Sequence, residues 1–273
     1  MTRILTAAGA EARIALRNRW VAIAVAMMAV FSMVLSATGS APTGALGADR
    51  LSVTVASLTS LAVYLVPLVA LLMAFDAIAG EVERGTLPLV LTYPVSRAEL
   101  ILGKFLAHLG VLALAVAAGY GIAAAAAIWT DPRAQAGLPA LVRLGWTSVL
   151  LGATFLGIGY ALSALARRPG AAAGLAIGLW LVLIVLYDLG LLAAVVADGG
   201  GRFTTQVFPW LLLANPADAF RLYNLAASEA TAAAAGIGGA AGTISTSLAL
   251  ASVALWPLLA LALAILAFRR VTP

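Results

Sequence analysis

Three ionisable side chains, Asp76, His108 and Asp188, fall inside long apolar runs of this 273-residue chain. In a membrane interior such groups serve proton relays, ion coordination or acid–base catalysis. Depth separates these roles, because a helix rises a fixed distance per residue. Asp76 lies ~35 Å from the start of its run, at one membrane surface. His108 lies ~5 Å into the next run from that same surface, and Asp188 ~26 Å into its own, close to the opposite surface. His108 and Asp188 therefore cannot form one acid–base pair, and no catalytic residue is expected. Asp76 and His108 share a level, where an ion pair is the expected role. No charged group is left near the midplane, which disfavours proton or sodium coupling.

Metal and nucleotide chemistry fare no better. Soft metals such as Cu(I) call for thiolate or thioether ligands. The chain has no Cys, one His and, besides Met1, only Met27, Met28, Met33 and Met73. Met27 and Met33 are six residues apart and fall on different helix faces, as core filler would. No metal site is expected. No G-x-x-x-x-G-K-[ST] phosphate loop occurs, so the chain is expected to bind neither ATP nor any other cofactor itself.

The elements that carry these residues are membrane helices. The chain is 63% hydrophobic and 10% charged, with a mean hydropathy of +1.07. Soluble domains carry about 25% charged residues. The fold class is all-α, a polytopic membrane protein of one domain over 1–273. Six spans are expected: Trp20–Thr38, Val53–Ala77, Phe105–Trp129, Gly145–Ala166, Ala171–Val196 and Thr246–Phe268. The net charge of +5 does not indicate nucleic acid, because the basic residues sit at span ends rather than among aromatics. Eleven cationic residues fall on the side of the N-terminus, the 80–104 loop, Arg167-Arg168 and Arg269-Arg270, against five on the other. The positive-inside bias therefore places both termini and that loop in the cytoplasm. Trp20, Trp129 and Trp146 stand at span ends as an interfacial belt. The first span starts too late and is too long for a cleaved leader, so it is expected to be retained. Before it, Ile4, Leu5, Ala8, Ala12, Ala15 and Leu16 share one helical face and Arg3, Arg13 and Arg17 the other. Residues 3–19 are thus expected to form an interfacial helix.

The segment Gly80–Lys104, GEVERGTLPLVLTYPVSRAELILGK, is charged and punctuated between two apolar spans. Glu81, Glu83 and Arg84 form a polar helix end, which Gly85 breaks. Thr86 is placed to cap a short helix with Leu87 and Pro88 in its first turn. Leu89, Val90 and Leu91 keep that helix apolar, and Tyr93-Pro94 ends it. Ser96-Arg97-Ala98-Glu99 is a capping box that opens the next helix. A short apolar helix with charged flanks suits docking into a cleft of another protein; an ordinary capped connection is the alternative.

At the other membrane face, residues 197–245 are too long for a simple connection. Asp198 and Gly199-Gly200-Gly201 are expected to form a flexible hinge. Phe208–Leu213 is too short to span and suits a re-entrant or interfacial piece. Asn215 caps a helix with Pro216 in its first position and Asp218 at its third. Trp210, Asn215, Pro216, Asp218, Phe220, Arg221 and Tyr223 are the candidate contacts for an extracytoplasmic partner. A plug packed on its own bundle is the equal alternative. Residues 232–242 are Ala/Gly-rich and suggest no element. Gly170, Gly174 and Gly178 recur every fourth residue and allow close approach of a helix, from this chain or another subunit.

The loop resembles that of ABC-2 type permeases, in which an acidic–basic helix end, a Gly-Thr-Leu, a Pro and an Arg precede the third span. Glu81, Arg84, Gly85, Thr86, Leu87, Pro94 and Arg97 match it, with Glu83 on the same helix end. The resemblance implies that this loop couples to a separate ATPase, which binds ATP and Mg. It also implies two copies of the chain with two ATPase subunits in a bacterial inner membrane. TLPLVLTYPVSRAELILGKF and NPADAFRLYNL are similar to the branch serving copper-site assembly of nitrous oxide reductase, which implies a periplasmic accessory protein. A generic exporter of lipid, drug or polysaccharide and a scaffold without an ATPase remain alternatives.

Overall fold

Inside a bilayer, backbone groups have no water to turn to, so apolar runs of this length are stable only as helices or closed barrels. The computed structural model describes residues 50–166, 168–225 and 243–271, with Gly9, Ala26 and Val30 besides. Every regular element among them is helical. Among the described residues, five helices are long and apolar enough to cross a membrane. They correspond to the expected spans two to six. The first span, Trp20–Thr38, the interfacial helix at 3–19 and the Ala/Gly stretch at 232–242 lie outside the described residues.

Span two is the helix Arg50–Ala74. Span three is the 34-residue helix Arg97–Thr130, which starts eight residues before the expected boundary. The helix opened by the capping box simply continues into the span, and Gly103, the one weak helix former in Leu100–Lys104, is accommodated as a buried position inside it. Span four, Leu138–Ala166, also starts early. A 3₁₀ turn, Pro132–Gly137, leads into it, with the Asp131 carboxylate accepting from Arg133 N at 3.0 Å. Span five runs over Pro169–Asp198 and span six over Thr246–Arg269. Span five contains a widened π turn at Leu181–Leu186.

Span four is the hub, packed on spans two, three and six and on the start of span five. Leu151, Phe155, Leu156 and Tyr160 fill its contacts and are fully buried. Glycines set how closely its neighbours approach. A Cβ at Gly157 would come within 2.8 Å of the Ala260 main chain in span six. One at Gly159 would sit 2.6 Å from Ala74 Cβ in span two. Such backbone proximity is how membrane helices gain dispersion energy without a hydrophobic drive between them. Span five is the opposite case. Nothing among the described residues lies within 4 Å of a Cβ built on Gly170, Gly174 or Gly178.

Gly157→Ala is therefore expected to destabilise the bundle by about 1–3 kcal/mol, since the obstacle is backbone and cannot rotate away. Thermal unfolding in detergent, compared with wild type, measures it.

Candidate functional site

The chain leaves span two through an elbow rather than a straight helix end. After Ala74 the main chain turns, and a short helix resumes at Ala79–Glu83. Ser163, from span four, holds the elbow. Its hydroxyl donates to Phe75 O at 2.6 Å and accepts from Ile78 N at 3.0 Å and Ala79 N at 2.9 Å. One buried side chain thus serves three backbone groups released by the turn. Nothing in Tyr160-Ala161-Leu162-Ser163 signals that role in sequence.

The ionisable residues at this end are not paired as expected. Asp76 faces Arg84 at 3.4 Å, with both side chains about half exposed, a geometry worth little in water. His108 instead bonds the Tyr160 hydroxyl through Nδ1, and the two rings stack 5.9 Å apart. The expected Asp76–His108 ion pair is absent because the elbow turns Asp76 outward, while span three rotates His108 against span four. The ion pair that does tie the elbow to span three joins Lys104 and Glu81 at 2.8 Å, with the lysine side chain only 5% exposed.

Gly85 follows with φ +65°, a left-handed conformation that glycine adopts without strain. The next helix, Leu87–Leu91, has Thr86 at the cap position. Thr86 does not cap through its side chain: its hydroxyl turns back to Glu81 O at 3.3 Å. Its helical ψ of −22° keeps the oxygen from reaching forward. Leu87 is fully buried and pins the helix, whereas Leu89 is 66% and Tyr93 68% exposed. Pro88, Pro94 and Glu83 are also exposed. The capping box forms as its sequence implies: Ser96 N donates to Glu99 Oε2 at 2.8 Å, and Ser96 Oγ accepts from Glu99 N at 3.2 Å. Arg97, one residue on, crosses to span six. Its Nη1 donates to Phe268 O at 2.9 Å and to Val271 O, and the guanidinium lies over the Phe268 ring. The short helix thus sits between two anchored flanks, Glu81 on one side and Arg97 on the other, with an apolar outward face.

At the far end of the bundle, Gly199 and Gly200 both have positive φ. They form a defined turn rather than a flexible hinge, because Asp198 accepts from Phe203 N at 3.3 Å and Thr204 N at 2.8 Å. A helical piece, Phe203–Ala214, follows, and then Pro216–Leu225. Asn215 caps the second helix, accepting from Ala217 N at 2.9 Å. Its amide donates to Leu183 O at 2.6 Å, inside the widened turn of span five. Asn215, Pro216, Asp218 and Phe220 are buried against their own bundle. Arg221 reaches Asp188 at 2.8 Å. Tyr223 is half-buried, edge-on to Trp146 and beneath Arg143. Trp210 is 60% exposed. Among the described residues no cluster of three or more metal-ligating side chains occurs.

Lys104→Met is expected to destabilise the fold by about 3–5 kcal/mol, because it strands the Glu81 carboxylate. Adding Glu81→Gln should recover most of the loss. Denaturation of the single and double variants measures the coupling, and equal stability of the two would contradict it.

The chain matches the family described as ABC-2 family transporter protein over residues 5–272. It is 45% identical over 273 residues to the "Probable ABC transporter permease protein NosY" of Pseudomonas aeruginosa, covering 99% of each chain. A protein of the same name from Stutzerimonas stutzeri is 42% identical over 239 residues, 87% of this chain and 86% of the relative. With the loop, the helical spans and near end-to-end similarity in agreement, the chain belongs to the ABC-2 family of transporter permeases.

Proposed function

We propose that this chain is the membrane subunit through which a separate cytoplasmic ATPase performs work at the opposite membrane face, in copper-site assembly of nitrous oxide reductase. The observation that carries the coupling role is the short helix Leu87–Leu91. It turns Leu89 and, just beyond it, Tyr93 outward, while its flanks are tied to three different spans through Ser163, Lys104 and Arg97. An apolar docking helix on a rigid mount transfers displacement instead of absorbing it. The likeness to two NosY permeases supports the copper-assembly branch. The assembly is two copies of the chain with two ATPase subunits that bind ATP and Mg. It sits in the bacterial inner membrane with both termini cytoplasmic.

Motion entering at Thr86–Tyr93 travels through the anchored spans to residues 197–245. There it remodels a periplasmic partner or exports a small sulfur- or metal-related species. The scarcity of polar groups in the described bundle favours mechanical work. Trp210 is the most exposed of the candidate partner contacts and the first to test for that role.

The experiment must separate docking from folding. Reversing Glu81 would strand Lys104, and Gly85→Pro would impose φ near −65° where the chain holds +65°. Leu89→Asp with Tyr93→Ala touches only exposed side chains. This double variant is expected to keep the wild-type unfolding temperature and to lose at least about tenfold in ATPase affinity, as truncated aromatic and aliphatic anchors of an interface do. Co-purification and stimulated ATP turnover read it out. Unchanged association and turnover would overturn the coupling role.

A further inference from the structure

Span five and the helix Pro216–Leu225 meet in a group of three charges. Arg221 contacts Asp188 at 2.8 Å and Asp218 at 3.1 Å. Asp218 is 2% exposed, and neither of its oxygens accepts a hydrogen bond of acceptable geometry, the arginine included. The two carboxylates share that one guanidinium, which brings them close to each other. Ionised carboxylates are acceptors only, so such a contact is repulsive unless one of them carries a proton and donates it.

The charge inventory leads to the same place. Two carboxylates against one guanidinium leave a net negative charge in a buried site, and among the described residues no second cation pairs with either carboxylate. Span two contributes Tyr64, whose main-chain carbonyl accepts from Trp180. Span five contributes Tyr187, whose hydroxyl is committed to Leu211 O at 2.8 Å. Span four contributes Arg143, which engages the Tyr223 ring and Asn224 O instead. Phe203–Ala214 and the buried part of span six carry no titratable residue. A metal ion would have two carboxylate ligands and a facing guanidinium, a poor site for a hard cation.

We propose that Asp188 and Asp218 hold one shared proton, and that this proton helps latch the helix Pro216–Leu225 onto span five, just beyond its widened turn. The proton belongs to the pair, since two acids this close titrate as a unit. Burial and the neighbouring Asp188 charge push Asp218 up to about 8, with Arg221 opposing them. An exposed aspartate titrates near 3.9, so the docked helix binds the proton more tightly than the undocked one. The latch is complete at acid pH below the undocked value and is lost as pH rises through about 8. On deprotonation the two carboxylates repel, which weakens the hold of the helix on span five while its apolar packing on spans two, four and six remains. The ligand of this site is therefore a proton at the far end of the bundle, away from the coupling loop.

Infrared difference spectroscopy on the full chain reconstituted in vesicles tests it directly. A protonated carboxylic acid band should titrate with a midpoint near 8 and disappear in both Asp218→Asn and Asp188→Asn. Hydrogen exchange of residues 203–225, corrected for intrinsic rates, should show protection falling by up to about tenfold per pH unit as the proton leaves. Asp218→Asn, which keeps a neutral donor, should flatten that dependence and hold the helix docked. Absence of the band at mildly acid pH, its persistence in both variants, or an unchanged pH slope in Asp218→Asn would overturn the latch. The wild-type titration stands without any variant, should one fail to fold. Neither measurement involves an ATPase, so this proposal and the coupling role fail separately.

Discussion

A backbone carbonyl that loses its helical partner within a bilayer cannot recover the bond from water, and leaving it bare costs about 1–3 kcal/mol. The irregular points of this chain are built around that constraint. Where span two breaks into its elbow, Ser163 serves Phe75 O and the Ile78 and Ala79 amides. Where span five widens, Asn215 serves Leu183 O. Where Phe203–Ala214 ends, Tyr187 and Ser252 take up the Leu211 and Leu213 carbonyls. Where span six ends, Arg97 serves Phe268 O and Val271 O. Trp180 of span five reaches Tyr64 O, three residues before Pro67. Each of these repairs is made by a side chain from a different segment, so each is also a cross-link.

These cross-links give the two ends of the bundle different mechanical character. At the loop end, a buried ion pair, a serine bridge and an arginine clamp hold the flanks of the short helix to spans three, four and six. The helix itself is held inward by Leu87. At the far end, the helix Pro216–Leu225 packs on spans two, four and six and is tied to span five by the Arg221–Asp188 pair and the Asn215–Leu183 hydrogen bond. Span four joins the two ends, and its close glycine contacts with spans two and six leave little room for those helices to slide independently. A rigid entry and a rigid hub fit the proposed delivery of displacement to residues 197–245.

Much of the local design was legible in advance. Gly85 as breaker, the Ser96–Glu99 box and the Asn215 cap are short-range signals, and all three appear in the structure. Features failed to show where a local signal was overruled by a contact from elsewhere. Thr86 occupies the cap position, yet its hydroxyl is drawn back to Glu81 O. Asp76 and His108 share a depth, but depth does not give azimuth, and the elbow and Tyr160 took them in different directions. The triple glycine promised flexibility, and the Asp198 carboxylate closed it into a turn. Ser163 gave no signal, because a small polar residue in an apolar helix is commonplace until its neighbours are known.

By itself the sequence determined that the chain is helical and membrane-spanning, where spans two to six lie apart from the early starts of spans three and four, and where most helix-breaking and capping points fall. These follow from hydropathy, period and turn chemistry, which act over a few neighbouring residues. Tertiary structure alone decided which side chain repairs which break, that Lys104 rather than a surface partner neutralises Glu81, and that Asp188 and Asp218, far apart in the chain, share Arg221. The physical reason is that helices of near-uniform apolarity carry no rotational preference of their own. Only packing against glycines and polar anchors sets which face each one turns to its neighbour.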